Sequence, residues 1–81
     1  MTIDYTTPAE LYPTRRYAKA QARYRRFPTA AEAVRYAIED MPGTWLIGTF
    51  LDVDGDRFDD KGIRALYDAP EYPLQRHALA A

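Results

Sequence analysis

Between Leu51-Asp52-Val53 and Asp56-Arg57-Phe58 stands the dipeptide Asp54-Gly55. A two-residue loop with positive φ at both positions matches the right-handed twist of paired strands, and Asp-Gly is one of the few pairs that accepts it. The flanks therefore read as a hairpin of defined register, with Val53 opposite Asp56, Asp52 opposite Arg57 and Leu51 opposite Phe58. The opposite charges of Asp52 and Arg57 support that pairing.

The stretch before the hairpin carries its own start and stop signals. In Pro28-Thr29-Ala30-Ala31-Glu32 a threonine at the N-cap is followed three residues later by a glutamate, the pattern of a capping box. Ala30, Ala33, Val34, Ala37, Ile38 and Met41 then recur on one helical face, with Glu32, Arg35 and Glu39 facing water. Pro42-Gly43 ends the helix. From Thr44 to Val53 the chain is apolar in both parities: Trp45, Ile47, Leu51 and Val53 share one side, Leu46 and Phe50 the other. That pattern predicts a strand covered from both faces, and Gly48 predicts a bulge or a close backbone approach within it. Beyond the hairpin, Asp59 or Asp60 caps a helix of about two turns with Ile63, Leu66 and Tyr67 as its apolar stripe.

The chain ends are less regular. Thr7-Pro8-Ala9-Glu10 also has capping-box form, and Pro13 disfavours helix at Tyr12, so residues 1–13 read as an N-terminal arm with one helical turn. Thr14 to Phe27 fits two periods. Tyr17, Ala20, Tyr24 and Phe27 share a helical stripe, whereas Ala18, Ala20, Ala22 and Tyr24 alternate with Lys19, Gln21, Arg23 and Arg25 as in a strand. Local propensities predict helix or irregular chain to about residue 20 and a strand over about 22–27. Residues 70–81, with Pro70-Glu71-Tyr72-Pro73, read as an extended C-terminal tail. The expected architecture is α+β: a compact domain over 14–69 in the order β-α-β-β-α, its sheet of about three strands packed against two helices. Val34, Ile38, Trp45, Ile47, Leu51, Phe58, Ile63 and Leu66 form the expected core.

Eighty-one residues suit one domain. Past Met1 the large aliphatics number four Ile, six Leu, two Val and Met41, while seven Tyr bring hydroxyls that need partners when buried. Without cysteine there is no disulfide to staple so small a core, which makes a homodimer one expected route to stability. The first residues lack the basic and apolar regions of a signal peptide, and no apolar run approaches the ~20 residues that cross a bilayer. A cytoplasmic, bacterial-type protein without a membrane partner is the expectation.

Elimination narrows the chemistry. The chain has no Ser, Cys or Asn, and its single histidine is His77 near the C-terminus. Serine or cysteine nucleophiles paired with histidine are therefore excluded, as are histidine–cysteine zinc sites and glycine-rich phosphate loops. Catalysis would rest on carboxylates, Tyr or Lys alone, so no enzyme activity, cofactor or small-molecule ligand is expected. The acidic run Asp52, Asp54, Asp56, Asp59 and Asp60 places Asp54 and Asp56 at calcium-loop spacing from Asp52. Position six is then Arg57 where glycine is needed, and position twelve Ile63 where a bidentate glutamate belongs. Hairpin and helix cap account for these aspartates, and no metal site is expected.

Charge is segregated. Residues 1–27 carry six basic and two acidic groups, residues 28–81 five basic and ten acidic. Arg15, Arg16, Lys19, Arg23, Arg25 and Arg26 fall within twelve positions with no acid among them, and Tyr12, Tyr17 and Tyr24 interleave with or flank them. Such a segment reads first as a solvated face or one paired with the acidic hairpin of the same molecule, next as a surface for a protein partner, and last as a site for nucleic acid through phosphate neutralisation and base stacking. A sequence pI near 5.7 weighs against the last reading. The expected function is a non-catalytic protein-interaction or regulatory module of unknown partner, a protein partner or a homo-oligomer of its own copies, with Arg15, Arg16, Tyr17, Lys19, Arg23, Tyr24, Arg25 and Arg26 as candidate binding residues. Nucleic-acid binding through the same segment is the alternative, followed by a carboxylate-dependent enzyme.

Overall fold

A computed structural model describes residues 3–13, 24–41 and 43–74. Its sheet holds β1 (Ala9–Tyr12), β2 (Arg25–Phe27), β3 (Phe50–Val53) and β4 (Asp56–Phe58) in the order β2-β1-β3-β4, antiparallel throughout. Helix α1 (Ala30–Arg35) continues into a wider π-helical turn over Tyr36–Asp40, and α2 is Asp60–Asp68. The α+β class is as expected, with four strands rather than three.

The hairpin has the predicted register at all three pairs. Asp54 (φ 53°) and Gly55 (φ 89°) both take positive φ, and the Gly55 N–H donates to the Asp52 carboxylate at 3.1 Å. Both predicted caps also form: the Thr29 hydroxyl accepts from the Glu32 N–H at 3.2 Å, and of the two aspartates offered for α2 it is Asp59 that accepts from the Gly62 N–H, at 2.9 Å. Gly62 keeps this start close to the sheet, because a Cβ there would lie 3.1 Å from that of Phe58.

The N-terminal segment corrects the expected helical turn. Ala9–Tyr12 is a central strand, paired with β2 on one side and β3 on the other. Leu11 opposes Leu51, and both are fully buried. Just before β1, the carbonyls of Tyr5 and Thr7 accept the first free N–H groups of α1, Ala31 at 3.0 Å and Ala30 at 2.6 Å. A capping box contributes about 1 kcal/mol; burying Leu11 and pairing both strand edges outweighs it.

The predicted strand from Thr44 is corrected as well. Only Phe50–Val53 pairs in the sheet. Gly43–Trp45 is a 3₁₀ turn, and a second turn follows, closed by the Thr49 N–H on the Leu46 carbonyl at 3.0 Å with Gly48 at φ 91°. The fully buried Thr49 hydroxyl donates to the Trp45 carbonyl at 2.6 Å. These local bonds use the backbone groups that a longer strand would have offered to the ladder.

The core accordingly differs at its margins. Val34, Leu51, Phe58, Ile63 and Leu66 are buried as expected, Ile38 and Trp45 are half-buried, and Ile47 is 58% exposed. Buried Ala30, Ala31, Ala33 and Ala37 contribute only methyl groups to the core, which Tyr5, Tyr67 and Tyr72 also enter. Each tyrosine hydroxyl has a partner: Tyr5 donates to the Leu66 carbonyl at 2.9 Å, Tyr72 to the Ala31 carbonyl at 2.8 Å, and Tyr67 to the Glu39 carboxylate. Tyr72 thereby anchors the stretch after α2, its ring 5.6 Å edge-on from Tyr5 and 5.3 Å from Tyr67. The strand expected over about 22–27 is observed at Arg25–Phe27; the helix-or-strand question over Thr14–Ala22 lies outside the described residues.

Candidate binding face

Alternation along the strands divides the sheet between two environments. Ala9, Leu11, Leu51, Val53 and Phe58 point to the helices and are buried. Glu10, Tyr12, Arg26, Phe50, Asp52 and Arg57 take the opposite parity, and none of these six is buried.

Two rows run across this open side. The first is charged: register places Arg26 beside Glu10, Glu10 beside Asp52 and Asp52 beside Arg57. Arg26 Nη1 lies 3.3 Å from Glu10 Oε2, and Arg57 Nη2 lies 3.8 Å from Asp52 Oδ2. The second row is aromatic. Tyr12 stands opposite Phe50 across the β1–β3 pairing, and the Tyr24 ring lies 5.4 Å from that of Tyr12. Tyr24 is 51% exposed and Phe50 40%. The Arg57 guanidinium joins the rows, lying 5.6 Å from the Tyr12 ring and 5.4 Å from the Phe50 ring, within cation–π range.

Glu10 holds this face together. Besides Arg26, its carboxylate accepts from the Tyr12 hydroxyl at 3.2 Å and the Tyr24 hydroxyl at 3.4 Å. The Tyr12 phenol is raised above its ordinary pKa, first by burial and next by the negative charge of Glu10, with the hydrogen bond to Glu10 and the charge of Asp52 adding to the shift. Beside the charged row, toward Pro8 and the Asp54-Gly55 turn, is a shallow depression of about 310 Å³ lined by Thr7, Pro8, Glu10, Arg26, Asp52 and Asp54 among others.

Of the candidates named from sequence, Arg15, Arg16, Tyr17, Lys19 and Arg23 lie outside the described residues. Tyr24, Arg25 and Arg26 are described, and they separate. Tyr24 and Arg26 share the open face with Glu10. Arg25, opposite buried Leu11, turns to the helix side, its guanidinium 4.4 Å from the Tyr36 ring centroid and 5.4 Å from that of Phe27. Sequence reasoning missed Glu10, Phe50, Asp52 and Arg57 as members of one surface. The signal was present in part: hairpin register already set Arg57 beside Asp52, and period-two alternation set Phe50 on their side.

Among the described residues no group of three or more His, Cys, Asp and Glu side chains is placed to hold a metal ion, and no helix is long and apolar enough to cross a membrane. Comparison with family models, with curated proteins and with solved structures gives no match.

Proposed function

We propose that this chain is a non-catalytic binding module that works through the open face of its sheet. The aromatic row Tyr24–Tyr12–Phe50 carries the reading. Tyr12 and Phe50 stand on paired strands and Tyr24 directly precedes one; rings so placed, with Tyr24 and Phe50 exposed, present contact area at little entropic cost to a ligand. Arg26, Glu10, Asp52 and Arg57 beside them supply orientation.

Self-association is the weaker form of this reading. The charges run plus, minus, minus, plus across the face, and that order is the same from either side. A second copy stacked in register about a two-fold axis would set like charge on like charge.

The test is capture from a crosslinked lysate with three baits: the wild-type chain, Phe50→Asp, and Arg64→Ala, which alters an exposed position on α2. A partner retained by wild type and Arg64→Ala but lost by folded Phe50→Asp supports the reading. Retention indifferent to Phe50, or a monomeric wild-type chain that captures nothing above a mock bait, overturns it.

A further inference from the structure

We infer that copies of this chain associate edge to edge, β2 of one copy seating against β4 of the next with Arg25 facing Asp56. The strand order makes β2 and β4 the two edges of the sheet, and no described strand pairs with the outer side of either. In the hairpin Val53 and Asp56 exchange the first ladder bonds. Alternation from there leaves the N–H and C=O of Arg57 on the outer side of β4 and those of Arg26 on the outer side of β2. Outward backbone groups of this kind can template a further strand. Three antiparallel pairings in series also set β2 and β4 in opposite directions. A neighbouring copy in the same orientation therefore extends the sheet in its own antiparallel pattern.

Charge selects which edge meets which. On β2, Arg26 already pairs with Glu10. Arg25 is exposed and forms no ion pair with any of the twelve Asp and Glu side chains, all of which are among the described residues. Its guanidinium rests over the Tyr36 and Phe27 rings, which hold it by its face and leave its N–H edge to an incoming carboxylate. On β4, Arg57 is likewise taken by Asp52, and exposed Asp56 pairs with no described cation. Each edge thus keeps one unmatched charge, and the signs are opposite. Joining β2 to β2 sets arginine on arginine, and β4 to β4 aspartate on aspartate. Arg25 stands opposite Leu11 and Asp56 opposite Val53, both buried, so the two charges emerge on the same side of the sheet. The register that joins them places Tyr24 beside Arg57 on the other side, a cation–π pair. A slip of two residues sets Arg26 on Arg57 instead, like against like.

The contact joins unlike surfaces, so it repeats from copy to copy and does not close at two. An exposed ion pair and a short run of backbone bonds make it weak and salt-sensitive. Sedimentation equilibrium of the full chain, from about 10 μM to about 1 mM, should show a mean mass that climbs past that of a dimer at low salt. In about 0.5 M salt the mass should fall back toward the monomer. Arg25→Asp and Asp56→Arg should each weaken association about tenfold when alone, since each gives both edges one sign. An equimolar mixture of the two should recover the wild-type mass, because every edge again meets its opposite. Arg64→Asp, an equal change of charge at an exposed position on α2, should leave association unchanged. A wild-type chain monomeric throughout, a mass that stops at the dimer, or single variants that associate as wild type overturns the inference. So does a mixture that fails to recover although both variants keep the wild-type melting curve.

Discussion

The two sides of the sheet satisfy their polar groups in opposite ways. On the helix side the tyrosine hydroxyls reach across long stretches of chain to backbone carbonyls, Tyr5 to Leu66 and Tyr72 to Ala31, and both bonds are buried. On the open side the carboxylates of Glu10 and Asp52 pair with neighbours on adjacent strands, at bonds that water also reaches. A buried hydrogen bond is costly to leave half-made because no water replaces the lost partner. An exposed ion pair is nearly free to break. One side is therefore built to hold, the other to exchange.

That contrast breaks first at Leu11. Leu11→Ala deletes a fully buried side chain at the centre of the sheet and should cost about 3 kcal/mol, read as a fall in denaturant midpoint. A loss below that of Phe50→Ala would reverse the assignment of the two sides. Thr29→Ala removes the hydroxyl that accepts from the Glu32 N–H and should cost about 1 kcal/mol. Tyr72→Phe leaves the ring in place and deletes its bond to the Ala31 carbonyl, a loss of about 1 kcal/mol by the same measurement. Arg57→Ala on the open side should change stability by less than about 0.5 kcal/mol; a cost equal to that of Tyr72→Phe would mean the open-side pair is as tightly held as the buried bonds.

The smallest effect is in alkali. Tyr12 titrates above its ordinary value because burial and the Glu10 charge favour its neutral phenol. A folded pKa above the unfolded ~10 means that the folded state holds the proton longer. The contribution to stability is full below that unfolded value and disappears as pH rises through the folded one. Glu10→Gln should bring Tyr12 back toward its ordinary pKa, followed through its ring signals by NMR. An unchanged titration would show that Glu10 exerts no charge effect there.

Legibility in the sequence followed the range of the interactions. Asp54-Gly55, Thr29 and Asp59 act within a few residues, through positive φ or a side-chain oxygen on a nearby N–H, and all three form as read. Ala9–Tyr12 and Thr44–Thr49 were misread because their states rest on rival interactions. A capping pattern at Thr7 lost to pairing with strands far along the chain. The apolar run at Trp45–Ile47 lost to a tight turn that leaves Ile47 in water. The open face of the sheet was half legible: the hairpin placed Arg57 beside Asp52, but nothing local showed that Glu10 and Tyr12 would lie alongside them.

By itself the sequence determined the hairpin and its register, both helix starts, the α+β class, and the absence of serine, cysteine and asparagine chemistry. Only the tertiary structure decided that the segment after Thr7 becomes the second strand across the sheet, and that two arginines, two acids and three aromatic rings share one uncovered side. The reason is physical. Local signals act through bonds closed within a turn, whereas strand order depends on which distant segments together bury Leu11 and Leu51.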